Sequence, residues 1–552
     1  MFPLRIACLM LGAVMRLPAR RWRGAALALS LVALLLPVSA AFGQGLAAGG
    51  PVPQETGLPL LRNFTPKEYG AQPQNWVSVQ DLRGVLYVGN GAGVLEFDGR
   101  RWRLIKLPNQ AMVRSLAVDP SGRVYVGALG EIGYLQADAK GQTGYVSLLD
   151  QVPPDARNFG DIRQTFVTPD GIVFSSFDRL LRLRGKKFER WKPASAFHFS
   201  FLVGDRVFVK EVGRGLLELV GSELRLLPGG ERFADEKIYA MLPGPPVATG
   251  EPETILIGTR TQGFFLFDGK SFIPWATDID VELKRDLLYC AARLPDGRLA
   301  FGTAQGGLYL TDPQGRRLAH LGKAEGLLDD AVISMFFDRE GGGWLGLGRG
   351  ITRAELSNPL SLFDDRNGLA GAIFAVHRHL GRLYVGTAQG LYVLEPGPDP
   401  HFRRIPGIES QTWAFLSVGE SLLVANYQGV YDVTGDTVAL VQKSGGSFAL
   451  VASVAQPGRV FVGQEGLASI RKVGDRWQDE GSLPGITDQI RSLFEDRNGA
   501  LWLGSRGTGV LRLRFPAASP DGGIGAAKIE RFGPGDGLPS MSSNATITST
   551  PP

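Results

Sequence analysis

A glycine that follows a short alternating strand recurs along most of the chain, and its spacing of about 40 residues constrains the fold more than any other feature. Each copy of the repeat contains an alternating apolar strand, an Asp-x-x-Gly turn, a second strand ending in glycine, a glycine turn and a third strand. Such alternation between Asp-Gly or Asn-Gly turns is typical of short antiparallel hairpins. The copies lie at residues 76–99, 113–128, 291–310, 332–350, 380–396 and 490–513.

The glycine that ends the second strand gives the number of units. It stands at Gly89, Gly127, Gly258, Gly302, Gly346, Gly386, Gly463 and Gly504. The intervals are 38, 131, 44, 44, 40, 77 and 41 residues, and degenerate copies at 172–183, 206–219 and 422–433 fill the two long ones. The chain therefore holds about eleven units. A period of 40 to 45 residues with four short strands is that of a β-propeller blade.

Eleven blades exceed the usual four to eight of one ring, so two rings are expected. We predict an all-β fold with two β-propellers of four-stranded blades. The first is seven-bladed, spans residues 55–360 and is closed by a strand at 60–64. The second spans 361–545, is incomplete with four to five blades, and precedes a disordered tail at 546–552. Because an open ring exposes unpaired strand edges, we expect the chain to be truncated or frame-shifted inside its second ring.

The first 43 residues predict a signal peptide. Five arginines precede residue 40 without any Asp, Glu or Lys, and the apolar stretch 25–40 ends in small residues at 38–41. Basic, apolar and small-residue regions in this order are typical of a secretory signal. An uncleaved signal anchor is the alternative, and Met1 and Met15 are both candidate starts. Either reading predicts a periplasmic or extracytoplasmic protein.

The leader also accounts for the apparent basic character of the chain. The whole sequence has 59 Lys and Arg against 54 Asp and Glu, a formal charge of +5. Taking away the five leader arginines leaves 54 basic and 54 acidic side chains, so the mature protein has no electrostatic bias toward nucleic acid. Two cysteines cannot form a disulfide framework. The apolar neighbours of Cys290 predict a buried structural thiol.

Few residues have the spacing that catalysis or metal binding needs. The repeated aspartates are expected to close Asx-type turns in which glycine adopts positive φ. His377 and His379 share one strand face, yet the sequence supplies no third ligand nearby, so a solvated strand face is favoured over a metal site. We predict no catalytic residue, metal or cofactor. The turn aspartates are Asp81, Asp119, Asp338 and Asp496.

Three repeats depart from the compact Gly-Thr-x-x-Gly turn between their second and third strands. They carry aromatic, amide and charged residues, which supply the stacking planes and hydrogen-bond donors that a polar ligand such as a carbohydrate needs. We hypothesise that these side chains face the mouth of the central channel and bind the ligand. Divergence of the blades without function is the alternative. The candidate ligand-binding residues are Phe177, Arg179, Lys210, Glu211, Arg214, Asn426, Tyr427 and Gln428.

The repeat resembles that of the two-component regulator propeller family. The opening at 63–102 is similar to the start of the exported sensor region in that family, and residues 127–135 and 363–371 add to the likeness. The resemblance implies two seven-bladed propellers, then a triple-tyrosine module, a membrane helix and a cytoplasmic histidine kinase or diguanylate cyclase. The chain lacks the last blades and all the later parts, so we expect no signalling output from it alone.

The resemblance implies an extracytoplasmic, non-catalytic ligand sensor of a bacterial signal-transduction receptor. Its expected partners are a small or oligomeric polar ligand and a second copy in a homodimer. Membrane contact is expected only through an uncleaved signal or a missing C-terminal helix. Two other classes stay open: a secreted propeller polysaccharide lyase or hydrolase, which needs convergent His, Tyr and carboxylate groups, and a protein-binding scaffold.

Overall fold

The structure is a computed structural model that describes residues 55–245, 254–516 and 527–538. The signal peptide expected at 1–43 and the tail expected at 546–552 lie outside the described residues. The described chain is all-β, as predicted, and its strands form eleven antiparallel sheets of four strands each.

The first seven sheets use 28 strands. In chain order these are β1 (Leu61–Phe64), β2 (Asn75–Gln80), β3 (Leu86–Asn90), β4 (Gly93–Phe97), β5 (Trp102–Ile105), β6 (Val113–Val118), β7 (Val124–Ala128), β8 (Glu131–Ala137), β9 (Thr143–Ser147), β10 (Gln164–Thr168), β11 (Gly171–Ser175), β12 (Leu180–Arg184), β13 (Lys187–Trp191), β14 (Phe197–Val203), β15 (Arg206–Glu211), β16 (Gly215–Val220), β17 (Glu223–Leu226), β18 (Ile238–Pro243), β19 (Ile255–Thr259), β20 (Phe264–Phe267), β21 (Phe272–Trp275), β22 (Leu288–Arg293), β23 (Leu299–Thr303), β24 (Leu308–Thr311), β25 (Arg317–Leu321), β26 (Val332–Phe337), β27 (Gly343–Leu347) and β28 (Ile351–Ala354).

The last four sheets, called here the second group, use 16 strands. These are β29 (Ile373–His379), β30 (Arg382–Thr387), β31 (Gly390–Glu395), β32 (His401–Arg404), β33 (Thr412–Val418), β34 (Ser421–Asn426), β35 (Gly429–Thr434), β36 (Thr437–Lys443), β37 (Ala449–Ala452), β38 (Arg459–Gln464), β39 (Gly466–Val473), β40 (Arg476–Ser482), β41 (Ile490–Glu495), β42 (Leu501–Ser505), β43 (Val510–Arg514) and β44 (Lys528–Phe532). Short helices lie at α1 (Pro66–Tyr69) and α2 (Asp280–Asp286), with 3-10 turns at Pro108–Gln110, Leu149–Gln151, Pro154–Ala156, Gly230–Phe233, Asp365–Asn367 and Pro534–Asp536.

The first seven sheets follow one another in a circle, called here the first ring. The first strands of these sheets are taken as β2, β6, β10, β14, β18, β22 and β26. Each of them contacts the first strand of the next sheet, and β2 of the first sheet contacts β26 and β27 of the last. The early strand β1 pairs antiparallel with β28, so the segment predicted at 60–64 is a strand and completes the seventh sheet. The first strands therefore surround the centre of the first ring.

The recurring glycine allows adjacent sheets to approach closely. A Cβ atom added at Gly89 would lie 3.0 Å from the carbonyl oxygen of Val113 in the next sheet. A Cβ atom at Gly346 would lie 2.7 Å from the carbonyl oxygen of Asn75, which joins the seventh sheet to the first. Real Cβ atoms essentially never approach as closely as the contact at Gly346 and seldom as closely as the one at Gly89, so the packing between sheets, rather than the turn, favours glycine here.

The turn aspartates close Asx-type turns, as predicted. A carboxylate oxygen of Asp338 accepts a hydrogen bond from the Gly342 amide at 2.7 Å, and Gly341 has φ of 85°. The other oxygen accepts from Trp344 Nε1 at 2.8 Å, which ties the turn to the second strand. Equivalent bonds to backbone amides are made by Asp81, Asp119 and Asp496.

Hydrophobic cores lie between neighbouring sheets. In one of them, Tyr87 and Val94 from the first sheet pack against Val113 and Val126 from the second. Apolar side chains on facing sheets remove each other from water, which gives about 25 cal/mol per Å² of apolar surface. In the part of the chain that the structure describes, no helix is long and apolar enough to cross a membrane.

Candidate functional site

The centre of the first ring is lined by residues at β-bulges in the first strands. In β2, β6, β18, β22 and β26 the register to the second strand shifts by one residue, and β14 has a similar shift. A bulge leaves an extra residue outside the ladder and changes the direction of its side chain. The extra residues are Trp76, Arg114, Tyr239, Tyr289 and Ile333, with His198 and Phe199 in β14.

Two adjoining cavities lie against these residues. One, of about 190 Å³, is lined by side chains that include Trp76 and Arg114. The other, of about 360 Å³, is lined by side chains that include Phe177 and His198. They share four wall residues, so they form one continuous site, called here the central cavity. The shared residues are Arg163, Phe199, Tyr239 and Tyr289.

Aromatic rings form the walls of the central cavity. The Phe199 and Tyr239 ring centres are 5.3 Å apart and nearly perpendicular, and Tyr289 lies 5.6 Å from Tyr239. The His198 ring contacts Phe199 at 4.7 Å and lies parallel to Phe177 at 6.3 Å. Edge-to-face and parallel pairs of this kind hold each ring in place. The cavity therefore has fixed apolar surfaces.

Cationic side chains lie over three of these aromatic rings. The guanidinium carbon of Arg163 is 4.3 Å from the Phe177 ring centre, and that of Arg260 is 4.0 Å from the Tyr239 ring centre. The guanidinium carbon of Arg114 lies 3.5 Å from the Trp76 ring centre. Cation–π contacts hold a guanidinium in place while leaving its N–H groups available to other partners.

One carboxylate is shared by two of the arginines. Asp161 Oδ2 lies 3.3 Å from Arg114 Nε and 3.4 Å from Arg163 Nε. Burial lowers the pKa of Arg114, and the Asp161 charge opposes this effect while the Arg163 charge adds to it. Two guanidinium groups with one carboxylate between them leave a positive charge that is not neutralised.

The partly buried imidazole of His198 is held neutral. Its pKa is lowered to about 4, first by burial and then by the positive charges of Lys210, Lys237, Arg163 and Arg260 in that order. His198 Nδ1 is buried without a hydrogen-bond partner among the described residues. A ligand group in the central cavity could meet this need.

The predicted ligand-binding residues of the first ring occupy three different environments. Phe177 lines the central cavity. The Lys210 ammonium is buried and donates to the Ala234 carbonyl at 2.8 Å and the Glu211 carbonyl at 3.1 Å. Arg179 donates to the Asp155 carbonyl at 3.2 Å. Of these three, only Phe177 lies at the central cavity, and the role of all three in ligand binding stays a prediction.

Glu211 and Arg214 lie at the turn between β15 and β16, as Lys210 does, and they pair with each other. Arg214 Nη1 donates to Glu211 Oε2 at 3.1 Å, and the other nitrogen Nη2 reaches the Leu224 carbonyl of β17. Glu211 Oε1 accepts from the Ala194 amide at 2.7 Å. Because β17 is the outermost strand of its sheet, Arg214 extends toward the outside of the ring. Its part in ligand binding also stays a prediction.

Of the predicted ligand-binding residues in the second group, Asn426 and Gln428 have hydrogen-bonded amide groups, whereas Tyr427 has an exposed ring. Asn426 is fully buried, and its Nδ2 donates to the Ser410 carbonyl at 2.9 Å and to Thr412 Oγ1 at 3.1 Å. Gln428 Oε1 accepts from the Tyr431 hydroxyl at 2.7 Å. Tyr427 is 54% exposed. The structure does not bring these residues to the central cavity.

The second group repeats the bulge pattern of the first ring. Register shifts place Phe374, Trp413 and Arg491 outside the ladder of β29, β33 and β41. The Arg491 guanidinium lies 3.6 Å from the Phe448 ring centre, and Trp413 lies 4.6 Å from the same ring. The predicted residue Tyr427 lies 6.2 Å from Trp413. Arginine on aromatic rings thus recurs at the same position of the repeat.

A further cavity of about 360 Å³ lies near the end of β25 and the start of β32. Its charges are largely paired with each other: Arg317 contacts Asp399 at 2.7 Å, and Arg366 contacts Asp364 at 2.7 Å. His401 lies 3.2 Å from Glu395. This cavity lacks both the aromatic walls and the excess of positive charge that distinguish the central cavity.

The remaining side chains singled out by sequence have structural contacts. His377 and His379 do share a face, since Ser417 Oγ lies 2.8 Å and 2.9 Å from them, but His379 is only 5% exposed, so the expected solvated face is wrong there. The Cys290 thiol donates to the Val332 carbonyl at 3.5 Å, and burial raises its pKa to about 12. No group of three or more metal-ligating side chains occurs among the described residues.

The sequence contains a signal for the central residues that the turn-based hypothesis did not use. In most first strands, the bulge residue stands between an apolar residue and a small one, as in Val113-Arg114-Ser115 and Ile238-Tyr239-Ala240. The small residue packs against the recurring glycine of the second strand; a Cβ at Gly302, for example, would lie 2.6 Å from Cys290 Sγ. The residue before the small one is thereby placed at the centre of the ring.

Comparison with known proteins agrees with the repeat and the fold. Residues 484–507 match the family described as two component regulator propeller. The chain carries this repeat. The predicted resemblance to the two-component regulator propeller family is therefore confirmed. No curated protein sequence matches the chain.

Two solved structures give the extent of the structural likeness. The extracellular domain described as that of the hybrid two component system BT3049 from B. thetaiotaomicron has a TM-score of 0.63 and 16% identity, with 88% of this chain and 68% of that chain covered. The extracellular domain described as that of the one component system BT4673 from the same organism has a TM-score of 0.42 and 15% identity, with 86% and 73% covered. At such identity, the first comparison shows the shared fold alone.

Proposed function

We propose that this chain is the extracytoplasmic, ligand-sensing propeller region of a bacterial signal-transduction receptor of the histidine kinase or diguanylate cyclase type. In this proposal residues 1–43 direct export, residues 55–360 form a seven-bladed propeller and residues 361–545 belong to a second one. The chain binds a polar ligand without transforming it. The two component regulator propeller repeat at 484–507 and the fold shared with an extracellular receptor domain support this proposal.

The observation that carries the proposal is the composition of the central cavity. Its walls combine aromatic rings with guanidinium groups that are held in place by those rings. Small-molecule sites are concave, are lined mainly by apolar and aromatic side chains, and use a few polar groups for orientation. Among the described wall residues of the central cavity there is no Asp or Glu. This composition favours binding over hydrolysis by paired carboxylates.

Ligand binding at this position offers a route to a signal. The wall residues come from the first strands of several sheets, including β2, β6, β14, β18 and β22. One ligand would therefore contact several sheets together and favour the arrangement in which those contacts form best. A homodimer that depends on this arrangement would transmit the change to the rest of the receptor.

The proposal is tested by measuring the unfolding temperature of the purified chain with a panel of neutral and charged saccharides. A ligand at 100 times its Kd stabilises a protein by about 2.7 kcal/mol, so a binding saccharide should raise the unfolding temperature by several degrees. Tyr289→Ala should remove this shift because Tyr289 lines both parts of the central cavity. No shift with any saccharide, or a shift that Tyr289→Ala retains, would contradict the proposal.

A polysaccharide lyase is the second candidate, because His198 and Tyr239 lie side by side in the cavity with a ring separation of 5.3 Å. A neutral imidazole beside a phenol and arginines could remove and return protons. Recovery of the bound saccharide without chemical change separates the sensor from the lyase. A protein-binding scaffold would bind a protein partner, and saccharides would not change its unfolding temperature.

A further inference from the structure

Four cationic side chains surround the central cavity. Arg114, Arg163 and Lys237 line it, and the Arg260 guanidinium lies over the Tyr239 ring that forms its wall. Lys237 and Arg260 form no ion pair with any residue in the described ranges. Such an excess of one charge raises the local concentration of oppositely charged ligands.

Three carboxylates near the cavity already have partners. Asp161 is shared between Arg114 and Arg163, so it neutralises one positive charge out of the four. Glu236 precedes Lys237 in sequence, but it accepts hydrogen bonds from the Thr261 amide, at 3.0 Å, and the Thr261 hydroxyl. Glu211 is bonded to Arg214 and to the Ala194 amide. The cavity thus keeps an excess of positive charge.

The surroundings of His198 agree with this excess. Every charged group that shifts its pKa is a cation, and each one disfavours protonation of the ring. The imidazole is therefore neutral at pH 7 and contributes no charge. Its unpartnered Nδ1 can bond to a hydroxyl group, which donates or accepts as the tautomer requires.

The walls and the size restrict the ligand further. The larger part of the cavity measures about 360 Å³, near the lower end of the usual 300 to 1,000 Å³ for small-molecule sites. Rings of Phe177, Phe199, Tyr239 and Tyr289 offer flat apolar faces. The C–H face of a sugar ring packs on such a surface while its hydroxyl groups point to polar atoms at the rim.

We propose that the central cavity binds an anionic saccharide of one or two sugar units, with its anionic group held by Arg163, Arg260 and Lys237. This inference rests on the proposed sensing function and adds the class of ligand. Guanidinium groups bind carboxylate and sulfate through paired N–H donors. The shared chemistry is an anionic group on a sugar, and the two sources are a uronic acid and a sulfated sugar.

The test is titration calorimetry of the full chain with four probes. These are galacturonate and its disaccharide, a monosulfated N-acetylglucosamine, and neutral galactose as the control. We expect the uronate, the sulfated sugar or both to bind at least tenfold more tightly than galactose. We also expect this binding to weaken as the salt concentration rises, because salt screens the charges. Galactose binding equal to that of the anionic sugars would overturn the inference.

Variants of the cations locate the binding. Arg163→Gln and Lys237→Ala should each weaken anionic sugar binding by roughly tenfold to a hundredfold, which is the worth of a charge-assisted hydrogen bond. Arg225→Gln is the matched control, because Arg225 is exposed on the outermost strand β17 and pairs with Glu223. Lys237 is exposed, so its variant should fold even if the Arg163 variant does not. Equal affinity of the Lys237 variant and the control would overturn the inference.

The inference and the proposed function fail in different ways. If a neutral saccharide binds in the cavity and Tyr289→Ala abolishes its binding, the sensor stands and the anionic class is wrong. If no saccharide binds, both are wrong. If a uronate disaccharide binds and is converted to an unsaturated product, the anionic class stands and the chain is a lyase.

Discussion

The guanidinium carbon of Arg114 lies 3.5 Å from the centre of the Trp76 ring, although the two residues belong to neighbouring sheets. Each residue is the extra residue of a bulge in its own first strand. The side chain of Arg114 is only 10% exposed, and it also contacts Asp161 at 3.3 Å and the Met112 sulfur at 3.9 Å. This contact connects adjacent sheets at the centre of the ring, where Trp76 and Arg114 also line the central cavity.

We predict a measurable coupling between Arg114 and Trp76. In a double-mutant cycle of Arg114→Gln and Trp76→Leu, the coupling free energy should be about 0.5–2 kcal/mol, the usual range for a cation on an aromatic ring. Chemical denaturation of the four proteins measures it. Additive effects of the two substitutions would show that the stacking contributes nothing to stability.

Gly346→Ala should destabilise the first ring at its point of closure. The added methyl group would lie 2.7 Å from the Asn75 carbonyl oxygen, so β27 and β2 would have to move apart. Overpacking of this kind costs about 1–3 kcal/mol. Gly144→Ala is the control, since nothing lies within 4 Å of a Cβ at that position. The free energies of unfolding of the two variants test this prediction, and equal values would contradict it.

The repeat predicted the strands and turns because both depend on short-range physics. The turn aspartates bond to amides two to four residues later, as at Asp338 and Gly342. The recurring glycine is fixed by close contact with the next sheet, as between Gly346 and Asn75. Such requirements leave the same residue at the same place in each unit, so the period was visible in the sequence.

The central cavity was not predicted because a bulge interrupts the alternation of a strand. Simple period-two alternation assigns a side chain to a face by its distance along the strand, and the extra residue at Tyr239 or Tyr289 shifts that assignment. The turn-based hypothesis met a second difficulty. The polar groups of Lys210 and Asn426 each bond to a group that is distant in sequence, Ala234 for Lys210 and Ser410 for Asn426, so side-chain chemistry alone did not show where they point.

His198 should make stability depend on pH in the acidic range. Its pKa is lowered from 6.5 to about 4 in the folded protein, first by burial and then by the surrounding cations. Between pH 6.5 and 4 the unfolded chain therefore binds more protons, so this stability is present above pH 6.5 and is lost as the pH falls toward 4. Because the ring is only partly shielded from water, we expect a contribution of about 1–2 kcal/mol.

The measurement for His198 is the free energy of unfolding of wild type and His198→Gln at intervals from pH 7 to pH 4. The difference between the two proteins should change over this interval, because the variant has no proton to bind at this position. Parallel pH profiles would show that His198 titrates alike in the folded and unfolded chains.

Asp338→Ala should be more destabilising than the same change at an exposed turn. Asp338 is 7% exposed and accepts hydrogen bonds from the Gly342 amide, Trp344 Nε1 and Arg353 Nε. Removing the carboxylate leaves buried donors unpaired, which costs about 2–3 kcal/mol. Asp119→Ala, at an exposed turn, should cost less. Denaturant unfolding compares them, and an equal loss would mean that the bond to Trp344 adds nothing.

Asn426→Ala and Tyr427→Ala should differ in their effect on stability although the residues are adjacent. Asn426 is fully buried, and its amide group donates to Ser410 and Thr412 and accepts from the Gln428 amide. Its loss should lower the free energy of unfolding by about 2–3 kcal/mol. Tyr427 is 54% exposed, so its loss should leave stability within about 0.5 kcal/mol of wild type.

Saccharide binding completes the comparison of Asn426 and Tyr427. Both residues belong to the second group, so neither substitution should weaken binding at the central cavity once the Asn426 variant is measured below its unfolding temperature. Calorimetry of the two variants with the saccharide that binds wild type checks this. A selective loss in Tyr427→Ala, with stability unchanged, would instead move the ligand to the aromatic rings around Trp413 and Arg491, where Tyr427 lies.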